Sequence, residues 1–116
     1  MKKIFVSFVV CLFVGAALRA QVTFDRILHG DREPQNWLSY SGTLFNQRYS
    51  PLTDITPANV KNLQLLWVWQ TRSLEKFEAT PLVDDGVMYT VEAPNTVVAL
   101  DAATGRPFWT FTYTRA

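Results

Sequence analysis

Sulfur and imidazole are nearly missing from this sequence. Its 116 residues include one cysteine, Cys11, and one histidine, His29. A single histidine excludes a metal cluster built on imidazoles. A single cysteine, placed in the first twenty residues, leaves the rest of the chain with no thiol, disulfide or cysteine-based metal site. Charge is also scarce, at 18%. Beyond residue 20 there are eight basic and ten acidic side chains, which excludes the clustered basic surface that phosphate binding requires. No run of five like charges forms a tail. No glycine-rich phosphate loop and no nucleophile elbow is present. With 48% apolar residues the chain is too hydrophobic for intrinsic disorder, and its length allows one ordinary domain.

The sequence opens on a short positive start, Met1-Lys2-Lys3. An apolar run from Ile4 to Leu18 follows, and Leu18-Arg19-Ala20 ends on a small residue. This order predicts a secretory signal peptide over residues 1–20, cleaved before Gln21. The run is shorter than the roughly 20 residues of a membrane span, so no span is expected once the signal is removed. An uncleaved anchor and a buried N-terminal helix are the competing readings. Val10 before Cys11 is not the small residue that a lipoprotein site needs. The twin-lysine start and the absence of disulfides point to a bacterial periplasm or secretion.

Residues 21–63 read as a loop-rich lead with short helices. Val22 to Leu28 suits a helix capped by Thr23, with Gly30 past its end. Residues 30–56 are polar and punctuated, but Trp37, Tyr40, Phe45 and Tyr49 anchor them too often for a free linker. Thr56-Pro57 predicts a helix of one to two turns, with Thr56 as cap and Val60 and Leu63 on one face.

From residue 64 the period changes from helix to strand. Leu65 to Trp69 is apolar on both faces. Ala79–Val83, Val87–Val91, Thr96–Leu100 and Pro107–Tyr113 are short β-type runs. Asp84-Asp85-Gly86, Pro94-Asn95 and Thr104-Gly105 separate them as turns, and Asp-Gly between apolar strands is a strong hairpin signal. The last four runs predict an antiparallel meander, with Trp109, Phe111 and Tyr113 on one face. Connections this short exclude the crossover helices of a parallel sheet. Strands that are apolar on both faces suit a sheet packed between two others. The fold class is therefore all-β, a four-stranded blade of a β-propeller. A blade takes about 40–50 residues, so residues 64–116 hold one blade plus one extra strand and cannot close a propeller.

Ala99, Asp101, Thr104, Gly105 and Trp109 form the pattern A-x-D-x-x-T-G-x-x-x-W. A small Ala allows close approach. Asp101 and Thr104 can tie the turn, and Gly105 supplies a positive φ. Trp109 brings a large apolar surface. This stretch resembles the tryptophan-docking repeat of the quinoprotein dehydrogenases. Trp37-Leu38-Ser39-Tyr40-Ser41-Gly42, Gln47 to Leu52 and Ile55 to Leu63 resemble, in order, the N-terminal lead of pyrroloquinoline-quinone (PQQ) alcohol and glucose dehydrogenases. Glu78 to Val83, then Asp85 to Tyr89, resembles their first blade.

The resemblance implies the N-terminal part of an eight-bladed periplasmic propeller. Such an enzyme binds PQQ with a calcium or lanthanide ion, oxidises alcohols or, in one branch, aldose sugars, and passes electrons to a cytochrome or ubiquinone. The residues from Glu78 to Thr90 lean toward the alcohol branch. One functional position carries over: Glu78 matches the glutamate that hydrogen-bonds the quinone from the start of the innermost strand. Read without the family, it is a solvated turn residue beside Glu75 and Lys76. The family's metal ligands, base carboxylate and vicinal cysteines belong to later blades and have no counterpart here. The chain is therefore expected to be inactive alone and to represent a truncated or split reading frame. The alternative is a non-catalytic periplasmic propeller that scaffolds outer-membrane assembly. His29 is expected to be structural or solvated. Asp84-Asp85 is expected to serve the turn, with ion binding as the minor reading. Lys61, Arg72 and Lys76 are expected on solvated faces.

Overall fold

The computed structural model describes residues 22–114, so the signal segment expected over residues 1–20 lies outside the described residues. Helix α1 covers Phe24–Leu28. Thr23 caps it as expected, its hydroxyl accepting from the Arg26 N–H. Gly30 does not end the helical stretch; it opens a one-turn 3₁₀ helix, Gly30–Arg32. The helix expected after Pro57 is a turn followed by a second 3₁₀ segment, Val60–Asn62. Thr56 serves it with its carbonyl, which accepts from Asn59 and Val60, rather than with its hydroxyl. Val60 and Leu63 stay exposed, so nothing in the described residues buries a longer amphipathic face.

Four strands follow in a meander: β1 Leu82–Asp84, β2 Val87–Glu92, β3 Thr96–Asp101 and β4 Pro107–Thr112. The sheet order is β1-β2-β3-β4, every pair antiparallel. Asp85 at φ 46 and Gly86 at φ 81 make the two-residue turn between β1 and β2. Two left-handed residues match the twist of the flanking strands, which is why Asp-Gly is favoured there. The last four strands are those read from the sequence, with β1 shorter than expected. It begins at Leu82, not Ala79.

The register separates the two faces. Tyr89, Val91, Val97, Ala99, Trp109 and Phe111 share one, because Tyr89 pairs with Ala99 and Ala99 with Trp109. Met88, Thr90, Glu92, Val98 and Leu100 share the other. The second face is the core. Val98 and Leu100 are fully buried, and Thr90 and Glu92 nearly so.

What covers that face is the segment expected to be an extra strand. Leu65 to Trp69 forms no strand among the described residues. It contacts the blade through indoles: Trp67 Nε1 donates to the Ala102 carbonyl at 3.2 Å, and Trp69 Nε1 to Glu92 Oε1 at 3.0 Å. A strand needs a hydrogen-bonding edge beside it. This segment is held through side chains instead, while Leu65, Leu66 and Val68 point into solvent. The opposite face is open, with Trp109, Phe111 and Tyr113 exposed.

The lead reaches the sheet at the free edge of β1. Trp37 and Val83 exchange both backbone hydrogen bonds, at 2.8 and 3.0 Å. Behind this bridge the Trp37 ring lies against Gly42, where an added Cβ would come within 2.8 Å of it.

Candidate functional site

The docking repeat has the geometry that its residue types suggest. Asp101 Oδ1 accepts from the Ala103 and Thr104 N–H groups at 2.9 and 3.1 Å. The Gly105 N–H donates back to the Asp101 carbonyl at 2.8 Å. Gly105 takes φ 70. Ala99 is fully buried beside its cross-strand partner Trp109, whose ring lies 6.1 Å from that of Tyr89.

The turn is a seat, and its occupant is Trp67. An added Cβ on Gly105 would lie 2.5 Å from Trp67 Cε3, and the same indole donates to Ala102 within the turn. Glycine at 105 is therefore required twice, for its backbone conformation and for the ring stacked on it. The sequence reading places Trp109 between this blade and a neighbouring one, a contact that one blade alone does not contain. Trp109 is 48% exposed on the open face, and the indole in the seat, Trp67, comes from 38 residues before Gly105. The apolar run around Trp67 read as a strand, and a contact this distant leaves no spacing signal.

Glu78 is exposed and lies in irregular chain four residues before β1, not at the start of a strand. Thr80 is exposed beside it. One solvent-facing carboxylate can accept a hydrogen bond from a quinone but cannot enclose one. Among the described residues no group of three or more His, Cys, Asp or Glu is placed to hold a metal ion. The described residues therefore do not by themselves fit a metal–quinone site.

A cluster the sequence did not reveal joins the lead to the blade. Arg26 Nε donates to Glu33 Oε1 at 3.0 Å, and Arg26 Nη2 to Glu33 Oε2 at 2.7 Å. The same Nη2 reaches Asp84 Oδ1 at 2.7 Å. Asn36 Nδ2 donates to Glu33 Oε2 at 2.8 Å, and Asn36 Oδ1 accepts from the Asp85 N–H at 2.9 Å. The Asp84-Asp85 pair thus does more than turn the chain: it faces a cation, and that cation is Arg26. The Arg26 hydrogen bonds, then that from Asn36, pull the Glu33 carboxyl from 4.5 to about 2. Glu33 and Asp84 hold the Arg26 guanidinium protonated above its ordinary range.

A pH dependence follows. Because the folded value of Glu33 is depressed, its charge stabilises the fold fully above about pH 4.5 and progressively less as pH falls toward about 2. The difference in thermal midpoint between the wild type and Glu33→Gln is expected to be constant above pH 5 and to vanish near pH 2. A difference that persists at pH 2 would assign the effect to shape rather than charge.

His29 sits at the end of α1, with Nδ1 3.1 Å from the Asp25 carbonyl and 3.2 Å from its carboxylate, a local arrangement. Lys61, Arg72 and Lys76 are exposed as expected. Arg72 borders a cavity of about 580 Å³ with Trp69, Glu92 and Phe108. No helix among the described residues is long and apolar enough to cross a membrane.

Comparison with known proteins agrees with this geometry. Residues 37–116 match the family described as glucose/ethanol/alcohol dehydrogenase, β-propeller domain (PQQ). The dehydrogenase subunit of a quinone-linked alcohol dehydrogenase from Acetobacter aceti is 46% identical over 77% of this chain, which spans 12% of that protein. The quinohemoprotein alcohol dehydrogenase ADH-IIG of Pseudomonas putida is 43% identical over 84% of the chain and 14% of its own length. Its solved structure superimposes with a TM-score of 0.76, over 80% of this chain and 14% of that one. A europium-containing methanol dehydrogenase gives 0.70 at 33% identity, over 79% of this chain and 16% of that one. The chain thus spans about one-eighth of the length of the curated relatives it matches. With most of its length matched, and with the docking turn in place, the chain belongs to the PQQ β-propeller dehydrogenase family.

Proposed function

We propose that this chain is the N-terminal part, lead and first blade, of a periplasmic PQQ-dependent enzyme that oxidises alcohols rather than aldose sugars. The observation that carries the reading is the Trp67 seat: a family-type repeat receives an indole on one face of the blade and leaves Trp109 ready on the other. That is the arrangement of a unit with neighbours on both sides. The relatives are named as alcohol dehydrogenases, which supports alcohols over sugars and an enzyme over a scaffold. One is a 1-butanol dehydrogenase named for cytochrome c and another is named for quinone, so both remain candidate acceptors. Glu78 is the one residue we assign to the quinone. Calcium or a lanthanide would be held by other blades, and no chemical step falls to residues of this chain.

Exchange of the matching segment of the Pseudomonas putida enzyme for residues 22–114 tests the reading. The chimaera is expected to load PQQ and oxidise primary alcohols with a dye acceptor. Glu78→Gln in it should weaken quinone binding by about tenfold or more, the usual loss when a hydrogen bond to a charged group is removed. A chimaera that folds but never loads the quinone would sink the proposal. Export is part of the same reading, and it predicts a mature N-terminus at Gln21. Sequencing the protein from a periplasmic extract checks it, and recovery of Met1 would refute cleavage.

A further inference from the structure

Three parts of the lead converge on three consecutive residues of the blade. Arg26 Nη2 donates to Asp84 at 2.7 Å and lies 3.6 Å from the Asp85 carboxylate. Asn36 brackets Asp85, accepting from its N–H at 2.9 Å and donating to its Oδ1 at 3.3 Å. Trp37 pairs with Val83 through both backbone groups. Glu33 sits between them and takes donors from both Arg26 and Asn36. All these contacts fall on the free edge of β1, at its hairpin end. The following stretch, from Leu44 to Leu66, is exposed throughout. Beyond the cluster, Leu38 next to Trp37 is the one buried apolar side chain of the lead among the described residues. Residues 26–37 themselves bury no apolar side chain fully, and a segment held mainly by polar contacts at one place opens on its own while the core stays folded.

We infer that residues 26–37 form a strap, latched by Arg26, which covers the free edge of β1 at its hairpin end and opens as a unit. The consequence rests on the proposed function. With β1 as the innermost strand, that edge faces the propeller axis. Glu78 lies beyond the opposite end of β1, up to about 16 Å from Val83 in extended chain. The strap therefore closes the axial end remote from Glu78, and leaves the Glu78 end as the mouth.

Amide hydrogen exchange of the full chain tests the strap without any cofactor. Val98 and Leu100, inside the β2–β3 ladder, serve as the reference for the sheet. In the wild type all four amides, of Trp37, Val83, Val98 and Leu100, are expected to be protected. Arg26→Gln should raise exchange at Trp37 and Val83 about tenfold or more, since it removes charge-assisted bonds, and leave Val98 and Leu100 unchanged. Arg26→Lys keeps the charge but loses the fork, and should fall between. Asp84→Asn removes the partner instead and should copy Arg26→Gln, which guards against one variant misfolding. Unchanged exchange at Trp37 and Val83 in both variants overturns the latch. So does a rise shared equally by Val98 and Leu100, which would make Arg26 a general stabiliser. Val98 and Leu100 unprotected in the wild type would overturn the strap together with the fold. Failure of the chimaera to load quinone would instead remove the proposed function and leave the exchange result standing.

Discussion

Gly105→Val is expected to destabilise the chain by about 3 kcal/mol, one of the largest effects of any single substitution outside the buried sheet. Two costs add. Gly105 has φ 70, and a β-branched residue there carries strain of about 1–3 kcal/mol. The new side chain also enters the Trp67 ring, since even a bare Cβ would stand 2.5 Å from it. Trp67 must leave its seat, losing its packing and its bond to Ala102, and a bond of this kind is worth about 1 kcal/mol. The denaturant midpoint measures the sum. A double-mutant cycle separates the parts: with Trp67→Ala already in place the collision is gone and only backbone strain remains, so the two changes should be less than additive. Full additivity would mean that the ring and the glycine do not meet. Trp109→Ala, for which a buried aromatic would predict a loss of about 3–5 kcal/mol, should cost less in this chain. Its ring is half-exposed, and the larger loss belongs to a complete propeller.

The blade was legible because its signals are local. Asp85-Gly86 sits between two apolar runs, and the register that follows places Trp109 and Phe111 on one face as alternation requires. Asp101, Thr104 and Gly105 specify their own turn within five residues. The lead, and the stretch from residue 64 to the start of β1, were legible only in part. Thr23 announced α1, but the expected start of β1 at Ala79 failed, because residues 79–81 have no pairing partner among the described residues. Leu65 to Trp69 read as a strand from composition. Composition cannot distinguish a segment that joins a sheet edge from one that lies across a face by its indoles. Arg26 was invisible for the same reason. Its partner Asp84 is 58 residues away, and an arginine on a short exposed helix looks solvated until the hairpin is placed beside it. Glu78 is a different case. Its assignment came from the family resemblance, and its exposed position offers no local geometry that would have singled it out.

The chain by itself is expected neither to bind PQQ or calcium tightly nor to oxidise alcohols. Calcium prefers about six to eight oxygen ligands, and among the described residues no group of three or more His, Cys, Asp or Glu is placed to hold a metal ion. Glu78 faces solvent, so a quinone resting on it would stay hydrated on its other sides. Any hydrogen bond that Glu78 accepts would then compete with water, where a single bond contributes only about 0.5–1.5 kcal/mol, far short of what micromolar affinity needs. The open sheet face adds a competing process. Trp109, Phe111 and Tyr113 lie exposed together, and an apolar face of this kind favours self-association over ligand capture. The measurement is calorimetry of residues 21–116 with PQQ and calcium, followed by turnover with a dye acceptor and a primary alcohol. No heat of specific binding is expected, and no dye reduction above the cofactor alone. Micromolar affinity or turnover would show that one blade assembles a working site, and would overturn the assignment of metal and base to other blades.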